Sequence, residues 1–170
     1  MKIVTYILCV FCLSSLGNIP ENDLKKIDKE ILSVFDLTTF EKEAVFIDQN
    51  NLSEMDASFD PNHFFKILQD EKHLGYFYFG KAPSKADEFD YVVIFDDQLI
   101  IKKIKILAYR EDYGGEISSK RWLKQFDGFS KTDELKYGSD IKGISGATIS
   151  AKSMTKAVND LLKNLSKLSN

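Results

Sequence analysis

The residues best suited to chemistry lie between Asp140 and Asn159, in the run DIKGISGATISAKSMTKAVN. Its centre is Ser145-Gly146-Ala147-Thr148-Ile149-Ser150. Gly146 and Ala147 are small, so an incoming group can come close to the backbone. Thr148 offers a hydroxyl, and helical spacing begins directly behind it. Met154, Ala157, Val158, Leu161, Leu162, Leu165 and Leu168 recur as one apolar stripe. Ser150 suits the helix N-cap, where its oxygen would accept from an orphan backbone N–H. The positive end of the helix then faces the turn, a favourable place for a phosphate. On residue types alone, the same residues also serve as an ordinary cap.

The letters SGATIS ahead of a helix resemble the FMN-binding domain family, whose members include flavin-carrying components of the Rnf electron-transport complex and of the sodium-translocating quinone reductase. That resemblance implies FMN held by a phosphoester, with Thr148 as the acceptor and Ser145, Gly146, Ala147 and Ser150 around it. The family pattern has an acid three positions before the serine. Here that position is Lys142, and the nearest upstream acid is Asp140.

A second stretch, Tyr109 to Phe126, reads YREDYGGEISSKRWLKQF. Its pattern is a strand end, a Gly114-Gly115 turn and a short helix with Trp122. By resemblance it corresponds to the family's Glu-Thr-Pro-Gly-Leu-Gly loop beside the flavin. Glu111 and Gly114 align with that pattern, with Gly115 next to them; Asp112, Tyr113 and Glu116 depart from it. Trp122 and Phe126 have counterparts in the family. The resemblance covers roughly residues 74–165. It implies an electron-transfer flavoprotein rather than a stand-alone enzyme, matured by a flavin transferase that takes FMN from FAD with magnesium. It also implies redox partner proteins, with a membrane electron-transfer complex among the candidates. The other reading is an exported, non-catalytic binding module of the same fold without covalent flavin.

These residues need a scaffold. Asn22 to Asp36 has a helical stripe of Leu24, Ile27, Ile31, Leu32 and Phe35, with Asn22 or Asp23 as cap. Glu43 to Asp48 is predicted as a short strand, and Asn50 to Asn62 as a loop with a helical turn. Phe64 to Tyr109 alternates like an antiparallel sheet. Turns are expected at Gln69–Lys72 and Asp96-Asp97, with a longer loop over Lys81–Glu88. Ile104, Ile106 and Ala108 share one face of the last strand; Lys103 and Lys105 share the other. Tyr76 to Phe79 is an aromatic run that suits either stacking on a flavin or, more commonly, sheet core. The expected fold is α+β: an antiparallel sheet of about four to six strands, packed with an N-terminal helix and a C-terminal helix after the SGAT turn.

At 170 residues, 44% hydrophobic and 29% charged, the chain suits one globular domain. A formal net charge of -3 without a basic block argues against a nucleic-acid surface. Lys2 followed by the uncharged run Ile3–Leu16 reads as a secretory signal peptide ending at Gly17, with residues 18–170 as one FMN-binding domain and an envelope or periplasmic location. An uncleaved anchor is the competing reading. Cys9 and Cys12 both lie in that run. Once it is removed, no disulfide, thiolate nucleophile or cysteine-bound metal is available. His63 and His73 show no metal spacing, and no Ser-His-Asp order is defensible.

Overall fold

The computed structural model describes residues 18–168. Its centre is a five-stranded antiparallel meander, in the spatial order β1-β2-β3-β4-β5. The strands are β1 (Glu41–Ala44), β2 (Phe64–Gln69), β3 (Lys72–Pro83), β4 (Glu88–Asp96) and β5 (Ile101–Ala108). Helix α1 (Glu21–Phe35) covers one face. Helix α4 (Thr148–Leu165), with the short α3 (Lys120–Leu123), covers the other. The short helix α2 (Gln49–Glu54) lies between β1 and β2. The α+β architecture expected from the sequence is therefore present.

The period-2 pattern explains the layering. Phe65, Ile67, Phe77, Phe79, Val92 and Ile94 meet Ile27 and Ile31 of α1. Phe64, Tyr78, Val93, Phe95, Ile104 and Ile106 meet Met154, Val158, Leu161 and Leu165 of α4. Each large apolar side chain buried this way contributes roughly 1.5–3 kcal/mol. Lys103 and Lys105 project toward α1, where both pair with Glu30 at 2.5 and 3.8 Å. The aromatic run is core: Phe77 and Phe79 are fully buried, and Tyr78 is 4% exposed.

Three local expectations are corrected. The first strand spans Glu41–Ala44, earlier than Glu43–Asp48. Its ladder ends where Val45 N–H donates to Phe64 O at 3.1 Å, because Pro61–His63 ahead of β2 turn into a 3-10 helix. With no partner strand there, Phe46 is left 90% exposed. Neither Asn22 nor Asp23 caps α1. Pro20 takes the N-cap, and its carbonyl accepts from the Asp23 and Leu24 N–H groups. The Lys81–Glu88 loop shrinks to residues 84–87, because Lys81, Ala82 and Pro83 pair with Asp90, Phe89 and Glu88.

Among the described residues no helix is long and apolar enough to cross a membrane. The predicted signal segment falls outside the described residues.

Candidate functional site

Gly146 turns the chain into α4 with a φ of +84°. A Cβ there would meet nothing within 4 Å, so the requirement for glycine is conformational rather than spatial. Ala147 is the N-cap and has no side-chain hydrogen bond to the first turn. The first-turn amides of a helix lack intrahelical partners. Here no capping side chain satisfies them, and no acid stands in the first turn. Thr148 is the first helical residue and is exposed. Its Oγ1 makes a long contact of 3.4 Å to the Ile144 carbonyl.

The expectation that Ser150 caps this helix is corrected. The left-handed turn at Gly146 starts the helix three residues earlier, which puts Ser150 inside the first turn. There it is 3% exposed, with its Oγ 3.0 Å from the Tyr109 hydroxyl. Ser150 thus ties α4 to the end of β5.

The chain leaving β5 packs against the turn. Gly114 adopts a φ of +82°, and a Cβ on it would approach Tyr109 Oη at 3.0 Å, Ala147 Cβ at 3.1 Å and Gly146 O at 3.2 Å. Only glycine suits both that conformation and that closeness. Glu111 faces the hairpin between β3 and β4. Its Oε1 accepts from Ser84 Oγ at 2.6 Å, Ala86 N–H at 2.7 Å and Asp87 N–H at 3.3 Å. The Ser84 hydroxyl and then the Ala86 amide hold this carboxyl below the usual carboxylate range.

Together these pieces wall an open groove of about 570 Å³. Thr148, Ile149 and Ser150 form its helical side, with Gly146 and Ala147 as floor. Tyr109, Glu111, Asp112 and Tyr113 line the opposite side, closed at one edge by Lys85 and Ala86 of the hairpin. Among the described residues, two of the three large hydrophobic side chains most exposed to solvent, Tyr113 at 85% and Ile149 at 51%, stand in this groove.

Glu111, Gly146, Ala147, Thr148 and Ser150 therefore meet at one groove, with Gly114 packed beneath it. Ser145 and Trp122 instead line an adjacent depression of about 740 Å³. Trp122 is 6% exposed, and its indole N–H donates to the Lys142 carbonyl at 2.7 Å. It positions the segment that leads into the turn. Gly115 lines neither space and begins a 3-10 turn. Lys85, Ala86, Tyr109, Tyr113 and Ile149 are groove residues that the motif reading misses. Only Tyr113 and Ile149, large apolar groups among polar and small neighbours, left a signal.

Lys142 is exposed, and its backbone is held on both sides. Its carbonyl accepts from Trp122, and its N–H donates to Gln125 Oε1 at 2.9 Å. Asp140 accepts from the Lys136 N–H at 2.7 Å. That bond occupies it within its own turn, so it does not substitute for an acid at position 142.

Residues 85–163 match the family model of the FMN-binding domain. That segment is similar to FMN-binding domains. Every residue lining the groove falls inside the matched segment. No curated protein matches the chain.

The match supports flavin binding, with FMN as the cofactor, and the groove suits that group. Its volume lies within the roughly 300–1,000 Å³ typical of small-molecule sites. The bare first turn of α4 suits a phosphate. Tyr113 and Ile149 supply apolar surface for a planar ring. Among the described residues no group of His, Cys, Asp or Glu is arranged to hold a metal ion.

Proposed function

We propose that this protein carries FMN covalently, through a phosphoester on Thr148 Oγ1, and passes electrons between redox partner proteins. The observation that supports it most is the position of Thr148. It is the first helical residue of α4, its hydroxyl exposed in the groove next to amides that no side chain caps.

The chain's own residues have distinct tasks in this reading. Thr148 supplies the nucleophilic oxygen. With FAD as the donor, its Oγ1 forms the new bond to phosphorus, and AMP departs. A separate flavin transferase carries out that step. The first-turn amides of Thr148, Ile149 and Ser150 hold the phosphate charge. Gly114 and Gly146 let the two backbone segments close on each other. Tyr109, through Ser150, fixes the distance between β5 and α4. Glu111 holds the hairpin in place at the groove edge. Once bound, the flavin supplies one- and two-electron chemistry, while the protein supplies position and electrostatics.

A covalent link suits an exported carrier, because it keeps the cofactor from being lost outside the cytoplasm. The same proposal therefore includes export by the N-terminal segment, an envelope or periplasmic location and association with a membrane electron-transfer complex.

The test is intact mass and in-gel fluorescence after co-expression with a flavin transferase. The expected result is a fluorescent band with one added FMN on the Thr148 peptide. Thr148→Ala should be dark and folded, and Thr148→Ser partly fluorescent. Ser145→Ala and Ser150→Ala should keep the bond. A dark wild-type band, or flavin mapped to another residue, would overturn the assignment.

A further inference from the structure

One turn further along α4 from Ile149 and Ser150, a second space opens. It is a bay of about 260 Å³ between α4 and the β3–β4 hairpin. It shares no lining residue with the groove. Ile149 and Ser153 are one turn apart on one helix face, roughly 6 Å along the axis.

The lining of the bay is specific. Phe59 and Tyr78 form a parallel pair on one wall, with ring centroids 5.2 Å apart and planes 14° apart. Tyr91 is 3% exposed and lines the bay, yet its hydroxyl makes no hydrogen bond within the described residues. Burial raises its pKa, so it stays a protonated donor. Solvent reaches that hydroxyl, and an acceptor on a ligand would replace the water there. Three charges line the bay: Lys81, Lys156 and Asp160. Asp160 already accepts from Lys156 Nζ at 2.5 Å. Lys81 has only a long contact of 4.0 Å to Asp90 Oδ1, and the other oxygen of Asp90 is held by Arg110. The three charges that line the bay sum to +1, and the Lys81 side chain is half exposed. Its volume falls just below the usual range for drug-sized ligands, which suits one or two fused rings.

We infer that this bay is a binding site for a small planar aromatic acid, with its ring against Phe59 and Tyr78 and its anionic oxygen between the Tyr91 hydroxyl and Lys81. The inference goes beyond the flavin reading and does not need it, because Thr148 and the groove residues take no part.

The test uses 2-naphthoate as probe, titrated into the full chain with and without flavin and followed by amide NMR shifts and calorimetry. Saturable binding should shift the amides of Ala82, Ser153 and Ala157, leaving Gly146 and Thr148 unmoved. Tyr91→Phe should weaken binding about fivefold, the effect of one lost hydrogen bond. Ala157→Phe, which fills the bay from a half-buried position, should abolish it. The neutral isostere 2-naphthamide should bind more weakly than the acid. No saturable binding, shifts centred on Thr148, or full affinity in both variants would overturn the inference. Equal affinity for the amide and the acid would overturn its charge requirement.

Discussion

The two long helices of this protein begin in opposite ways. Neither α1 nor α4 has a side-chain cap at its N-terminus. Helix α1 offsets its positive end with Glu21 and Asp23 in the first turn. Asp23 is 4% exposed and pairs with Lys26 at 3.0 Å, so that end is finished from within. Helix α4 has no acid in its first turn, and its two hydroxyls are turned to other uses. Thr148 faces the groove, and Ser150 is bound to Tyr109. A macrodipole end left without a compensating charge is favourable for an external anion. The difference between the helices marks where the protein leaves room for a phosphate.

The largest effect should come from removing the hydroxyl that the open end of α4 presents. Thr148→Ala should abolish covalent flavin, an all-or-none change read by in-gel fluorescence. Its exposed side chain makes only a long contact, so stability should move by no more than about 0.5 kcal/mol. A protein that unfolds instead would mean that Thr148 is a structural part of the turn.

Next in size is Gly114→Val. The φ of +82° excludes a β-branched residue, and the added Cβ would press on Tyr109, Ala147 and Gly146. We expect a loss of about 1–3 kcal/mol in denaturant unfolding, together with a perturbed flavin spectrum. Gly146→Ala sharpens the point. It has the same positive φ but open space, so it should cost only the backbone strain of about 1–2 kcal/mol.

Much of this was legible in the sequence, and the misses have physical causes. The SGAT run, the glycine loop and the sheet carry local signals: small residues, hydroxyls and alternating apolar positions. What failed was assignment by neighbourhood. Ser150 looked like a cap because serine before an apolar stripe usually is one. A tertiary partner 41 residues upstream, Tyr109, gave its hydroxyl a better bond. The resemblance places Trp122 with the cofactor residues; in the structure it lines the adjacent depression and donates to Lys142. Glu111 lines the groove, and its carboxylate also holds the hairpin, a bond that no local pattern announces. The hairpin residues Lys85 and Ala86 were invisible, because only β3–β4 pairing brings them to the groove. Strand β1 was displaced because an apolar run makes a strand only where a partner exists.

The Ser150–Tyr109 link should be worth about 1 kcal/mol. Ser150→Ala and Tyr109→Phe should each cost about that amount, and the double variant should cost less than their sum. Additive losses in a double-mutant cycle would mean that the two hydroxyls are not coupled and that α4 is positioned by packing alone.

A smaller effect tests the open helix end directly. Ile149→Asp places an acid in the first turn of α4, giving it what α1 already has. The apo protein should gain about 0.3–1 kcal/mol relative to Ile149→Asn, while the attachment of FMN slows. A charge that stabilises the helix without slowing attachment would separate the dipole from phosphate recognition.

The smallest effect is on the facing wall, where Glu111 holds the hairpin. Its folded-state pKa is depressed, chiefly by the Ser84 hydroxyl and then by the Ala86 amide. A depressed carboxylate contributes stability above its unfolded pKa and loses that contribution as pH falls through the lower folded value. The clasp should therefore be intact at neutral pH and loosen only in acid, below the usual carboxylate range. The side chain is open to solvent, so the change should be local rather than global. Amide hydrogen exchange at Ala86 and Asp87, corrected for the intrinsic pH dependence of exchange, should lose protection on acidification while the β4 core amides keep theirs. In Glu111→Gln the hairpin amides should exchange quickly at neutral pH, and the acid transition should vanish. A hairpin equally protected in that variant would mean that β3–β4 pairing alone holds the groove edge, and that Glu111 is free to face the cofactor.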